Sequence, residues 1–280
     1  MEPADSLSRD YYVGPLFTLA CLLVSVASSS FFGRNIGEIS CRYRLDYSPN
    51  GRAFGIWGII YTGCVVVCVV EITGLVPVLS SEVFFLWGGC WLFCSLWVPL
   101  FDDRRTCLLG GALVSIGSGA GCALAGAAVA KAWVPSQSSV LSLAPALVWP
   151  LSLLGGWLLT ASALNVGILL KATDPDSDKS CVVVAPQKAT ESDLQFEGRR
   201  RALIREANAK APANVAFEVW ILAFVVALVT ILVKDPVVAL PAVWAIFNMR
   251  AFPAAEYIYA VIVCSLGLVG AVASAIAESE

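Results

Sequence analysis

Apolar runs of membrane-crossing length dominate this chain and restrict what it can fold into. About 20 consecutive apolar residues carry a helix across the hydrocarbon core of a bilayer. Seven segments qualify: 12–33, 54–76, 83–101, 107–130, 147–170, 216–233 and 254–277. An eighth, 236–249, is short and contains Pro241. It reads as a thin span or as one arm of a re-entrant hairpin, the span being preferred. Backbone in lipid must satisfy its own hydrogen bonds, and these runs are too long and too uniformly apolar for barrel strands. The expected fold class is therefore all-α, a polytopic transmembrane helical bundle of seven or eight spans. Composition agrees, since 14% of the residues are charged against about 25% in soluble domains.

The polar stretch 172–215 divides the chain. TDPDSDKS opens it with acids and EGRRRALIREANAK closes it with bases. Its basic part, 197–210, reads equally as an amphipathic helix on anionic lipid or as a solvated linker. The expected organisation is a five-helix unit over 1–171, a polar cytosolic connection over 172–215 and C-terminal transmembrane helices over 216–280. Glu2, Asp5, Arg9 and Asp10 precede the first apolar run. That acidic start is unlike a secretory or organelle leader, so the first run is expected to be a retained helix. With eight spans, every basic residue except Arg9, Lys131 and Lys234 falls in the connections after spans one, three, five and seven. The positive-inside rule then places the odd-numbered loops in the cytosol and both termini outside. If 236–249 does not cross, only Arg250 and the C-terminus change sides. Which membrane is involved does not follow.

Several function classes lose support at this stage. Net charge is −3 and no basic patch accompanies aromatic platforms, so nucleic acid is not an expected partner. Charges are nearly absent inside the spans; Glu71, Asp102, Glu218 and Glu256 fall near their ends. Ion-driven carriers usually keep ionisable groups at mid-membrane. The chain has no histidine, which removes the commonest metal and haem ligand and the obvious general base near neutral pH. No nucleophile–base pair or metal constellation is visible, so the chain is not expected to be an enzyme. Cys64/Cys68 and Cys90/Cys94 are spaced i,i+4 on single helix faces. They read as a soft-metal or redox site, or as small buried hydrophobes; the second reading is preferred. Gly117, Gly121 and Ala125 form a small-residue ridge, and Gly267/Ala271 and Gly270/Ser274 form another. Such ridges allow close helix approach, either within the bundle or across a homodimer.

Three aromatic segments carry the functional signal: GRAFGIWGIIYTG (51–63), FCSLWVPLF (93–101) and GWLLTASALN (156–165). Phe54, Trp57 and Tyr61 fall at i, i+3 and i+7 and share one helical stripe. Cys90, Cys94, Trp97 and Phe101 form a second stripe. Trp157, Ala161 and Asn165 form a third. An asparagine eight residues along an apolar span is costly unless protein or ligand hydrogen-bonds it. The three stripes either line a pocket for a flat apolar ligand or simply fill a bundle core.

These segments resemble those of the translocator-protein family, the TspO/MBR or peripheral-type benzodiazepine receptor group, also called tryptophan-rich sensory proteins. That family's second helix opens with a proline pair, an aromatic, Phe-Gly and then Trp-x-x-x-Tyr. This chain has Pro49, Phe54, Gly55, Trp57 and Tyr61. The third helix carries Asn-x-x-Trp-x-Pro-x-Phe, here Cys94, Trp97, Pro99 and Phe101. The fifth carries a Trp followed by Ala-Thr-Ala-Leu-Asn, here Trp157 and then Ala161, Ser162, Ala163, Leu164 and Asn165. The likeness covers roughly 12–171. GEIS before span two and KDPVVALPAVWAIFNMR resemble a longer bacterial branch with extra C-terminal helices.

The resemblance implies a five-helix bundle with a ligand pocket near the first loop. It also implies binding of tetrapyrroles such as protoporphyrin IX, sterols in some members, and frequent dimers. The departures are Asn50 for the second proline, Arg52 for the aromatic, Cys94 for the asparagine, and one residue fewer between Phe54 and Tyr61 than in short members. The fifth span lacks the Tyr-plus-base pattern of sterol recognition, so sterol binding is unsupported. The site expected is Arg52, Phe54, Trp57, Tyr61, Cys94, Trp97, Trp157, Ser162 and Asn165. The aromatics would supply stacking faces, Ser162 and Asn165 polar anchors, and Arg52 a charge for a ligand carboxylate. The expected activity is binding, transporting or sensing a hydrophobic planar ligand, with membrane lipid as solvent and no further cofactor. The alternatives are a scaffolding subunit with no specific ligand and a carrier of lipid-like solutes.

Overall fold

The computed structural model describes residues 4–43, 45, 49, 51–74, 79–133, 144–173, 195, 199, 217–248, 265, 267, 269–270 and 273. Every element among them is helical: α1 (Ala4–Phe32), α2 (Arg34–Arg42), α3 (Ile56–Ile72, entered through a 3-10 turn at Gly51–Gly55), α4 (Ser81–Leu100), α5 (Thr106–Trp133), α6 (Ala144–Thr173), α7 (Phe217–Val233), and α8 (Leu240–Phe247, preceded by a 3-10 turn at Pro236–Ala239). The all-α expectation holds. Five helices are long and apolar enough to cross a membrane: Tyr12–Phe32, Gly51–Ile72, Ser81–Leu100, Thr106–Ala132 and Leu147–Thr173. Their bounds lie within a few residues of the sequence reading. Nearly all of 172–215, including all of 197–210 except 199, lies outside the described residues, as does most of 254–277; within the latter, 265, 267, 269–270 and 273 are helical.

The spans close into a ring. α1 packs on α4, α4 on α5 and α5 on α6, while α3 touches both α1 and α6. Phe84, Trp87 and Trp91 of α4 are fully buried, whereas Leu23, Phe31, Val114 and Leu232 stand outward. An apolar exterior of this kind suits lipid, where helix association depends on close packing and interhelical hydrogen bonds. Both are present. The Thr18 hydroxyl donates to the Phe84 carbonyl at 2.7 Å, Ser28 to Ser95 at 2.7 Å, and Ser115 to Phe93 at 2.7 Å.

The ridge on α5 requires a correction. Gly117, Gly121 and Ala125 are exposed, and a Cβ added at either glycine would meet nothing within 4 Å. α5 instead buries Ala112, Ile116, Ala120, Ala123 and Ala127, so this ridge serves no packing within the described bundle. In the other ridge Gly267 packs internally: a Cβ on it would lie 2.7 Å from the Cα of Ala227 in α7.

The C-terminal elements dock on the five-helix unit. After α7 the chain turns at Lys234, whose φ is 53°. Asp235 then caps the 3-10 turn by accepting from the Val237 amide at 2.9 Å. Pro241 sits in the first turn of α8, where proline starts a helix without kinking it. The run Pro236–Phe247 is about 20 Å long at helical rises, short of a core of about 30 Å. It begins beside Ser152, two turns into α6, and ends with Trp244 on the carbonyl of Ala53. It thus traverses part of the bundle thickness with its start drawn inward.

Candidate functional site

The 3-10 turn Gly51–Gly55 feeds α3. Ala53 is fully buried, while Arg52 and Phe54 on either side of it are exposed. One helical turn on, Trp57 and Tyr61 stack with centroids 5.4 Å apart and planes 23° apart. Trp157 of α6 meets this stripe edge-on, 5.9 Å from Phe54 and 6.2 Å from Trp57, both at 84°. These are favourable geometries for aromatic quadrupoles. Trp91 of α4 completes the group, 5.5 Å from Tyr61 and 6.4 Å from Trp57. Five rings from three helices therefore form one contiguous cluster, running from half-exposed Phe54 to fully buried Trp91.

The structure brings together Phe54, Trp57, Tyr61 and Trp157 of the expected site. Cys94 is buried in the same core. Trp97 and Asn165 form a separate pair: the Trp97 indole N–H donates to Asn165 Oδ1 at 3.0 Å, and Asn165 Nδ2 donates to the Ala161 carbonyl at 2.7 Å. The asparagine's cost is thus met by protein. Ser162 donates to the Leu158 carbonyl of its own helix at 2.7 Å, which leaves its oxygen free only to accept. Arg52 is exposed in the 51–55 turn, next to buried Ala53.

Trp91 escaped the sequence reading. Its position, one turn before Cys94, was the available signal. Its indole N–H is buried without a hydrogen-bond partner, as is that of Trp87. An orphaned buried donor is costly, so the ring cluster carries a donor that an acceptor would satisfy. The sequence reading also missed Asp235, although KDP shows the capping residue and N1 proline of a helix start. Asp235 is buried, accepts from the Ser152 hydroxyl and pairs with Lys131 Nζ at 3.0 Å. The thiols of Cys64, Cys68, Cys90 and Cys94 are buried. No group of three or more His, Cys, Asp or Glu among the described residues is arranged to hold a metal.

The family described as TSPO-like protein matches residues 13–179, more than half of the chain. No curated protein and no solved structure matches.

Proposed function

The chain belongs to the TSPO-like family, and from that premise we propose that this multi-pass membrane protein binds a hydrophobic planar ligand in the ring cluster of α3, α4 and α6, a tetrapyrrole such as protoporphyrin IX first. The observation that carries this reading is the contiguous set Phe54, Trp57, Tyr61, Trp91 and Trp157, with its orphaned donor on Trp91. Flat π-faces stack on indoles, and a polar edge of the ligand would satisfy that donor. Arg52 at the mouth matches a propionate. The residues offer stacking and charge and no histidine, which suits a metal-free macrocycle. Binding of this kind serves transport or sensing across the membrane, with the odd-numbered loops in the cytosol.

Protoporphyrin IX titrated into the detergent-purified protein tests the reading, followed by tryptophan quenching and by the porphyrin absorbance band. A saturable one-site curve, weakened about tenfold or more by Trp157→Ala, supports it; tenfold corresponds to ~1.4 kcal/mol. A linear response indifferent to that change sinks it. Mutual contact among the five rings favours a second reading, a scaffold whose aromatic core is structural. That reading expects a fixed protein partner and the linear response.

A further inference from the structure

We propose that residues 235–248, which lie beyond the 13–179 stretch that matches the family, form a wall of the ring site, and that Trp244 sets access to it. The inference rests on the ligand-binding reading of that site.

Three attachments hold the segment in place. At its start the buried Asp235 carboxylate accepts from the Val237 amide and the Ser152 hydroxyl. It also pairs with Lys131 Nζ at 3.0 Å, and the same ammonium donates to the Lys234 carbonyl at 3.1 Å. Removing the Lys131 charge would leave the buried Asp235 carboxylate without its counter-charge. In its middle the segment presses on Gly156, the neighbour of Trp157. A Cβ there would lie 2.1 Å from the Val238 carbonyl oxygen and 3.2 Å from the Pro241 ring. At its end the Trp244 indole donates to the Ala53 carbonyl at 2.9 Å. Val237 and Ala245 of the segment pack on the core that holds Trp57, Tyr61 and Trp157.

The attachments run along α6 from Ser152 to the mouth. Ala53 lies between Arg52 and Phe54, the charge and the outermost ring of the site. Trp244 is itself 43% exposed. A flat molecule approaching the rings past the 51–55 turn meets half-exposed Phe54 and the Trp244 indole bonded at Ala53. It passes only when the Trp244–Ala53 bond opens.

The test uses the full chain in micelles, with two readouts. The first is the rate of protoporphyrin IX binding and release, followed by porphyrin absorbance. Trp244→Phe keeps a ring and removes the donor. Loss of one hydrogen bond should speed both binding and release about fivefold and hold Kd within about twofold. The second readout needs no ligand. Ala53→Cys places a thiol at the fully buried residue whose carbonyl the Trp244 indole holds, and its alkylation by a small maleimide is read at that residue by mass spectrometry. Alkylation should be slow in the otherwise native chain and about fivefold faster with Trp244→Phe. It should also be faster with Lys131→Met, which loosens the far anchor. Unchanged alkylation in both variants overturns the wall. Faster alkylation with non-saturating porphyrin uptake keeps the wall and removes the ligand. Saturable porphyrin binding with rates and alkylation indifferent to Trp244→Phe keeps the ligand and removes the wall.

Discussion

Trp97 of α4 donates its indole N–H to Asn165 of α6 at 3.0 Å, joining two helices that have α5 between them in the ring of spans. The pair is a clamp, since Asn165 also donates to Ala161 one turn back. Asn165→Leu removes the acceptor and orphans a partly buried donor, at a cost of about 1 kcal/mol. Trp97→Phe in the Asn165→Leu background should cost less than it does alone. A double-mutant cycle by reversible unfolding in mixed micelles measures this, and additive losses would refute the clamp.

Two glycines of similar sequence appearance should respond oppositely to alanine. Gly156 admits the Val238 carbonyl so closely that a Cβ would sit 2.1 Å from it. Gly156→Ala should therefore displace the 236–247 segment and expose the Val233–Pro236 turn to protease. Gly121 meets nothing within 4 Å, so Gly121→Ala should leave that turn protected. It should raise helix stability by up to about 1 kcal/mol, the usual gain for alanine over glycine inside a helix. Limited proteolysis and thermal melting of both variants decide the matter.

Arg52 carries a prediction specific to the charge on the ligand. If its guanidinium pairs with a propionate, Arg52→Ala should weaken protoporphyrin IX by about tenfold, as for a charge-assisted hydrogen bond worth about 1.5 kcal/mol. The same change should leave the dimethyl ester, which has no carboxylate, within about twofold of wild type. Equal losses for both ligands would assign Arg52 to the shape of the mouth or to lipid headgroups instead.

The helices were legible because apolar length and the hydrogen-bonding demand of lipid leave few alternatives. The Phe54, Trp57 and Tyr61 stripe was legible because helical period fixes which side chains share a face. What lay beyond reach was contact between distant segments. Trp244 and Ala53 are 191 residues apart, and nothing local to either marks the other. Nothing local marks Asp235 as buried, because its burial depends on Lys131 and Ser152 arriving from two other helices. The Gly117/Gly121 ridge shows the converse: its spacing permits close packing, but the rotation of α5 turns it away from its neighbours. Asn165 was recognised as needing a partner. Its sequence did not say that Trp97 would fill that need.

The α4–α5 turn supplies a pH prediction outside the membrane. Arg104 donates through Nε to Asp102 Oδ2 at 2.7 Å, and its amide donates to Oδ1 at 2.9 Å. The Arg104 side chain and then its amide hold the Asp102 carboxyl below its ordinary value. A carboxyl lowered in the folded state contributes stability that is fully present above the unfolded value of about 3.9. That contribution is lost as pH falls through the lowered value. Arg104→Ala should move the Asp102 titration up toward the ordinary range, read as the carbon-13 shift of its carboxyl. The amide bond remains, so the return should be incomplete. The melting temperatures of wild type and variant should differ at neutral pH and converge once Asp102 is neutral in both. Arg104 is largely exposed at this turn, so about 1 M salt should shrink the neutral-pH difference. A difference that persisted at low pH would trace the effect to the arginine's packing and not to its charge.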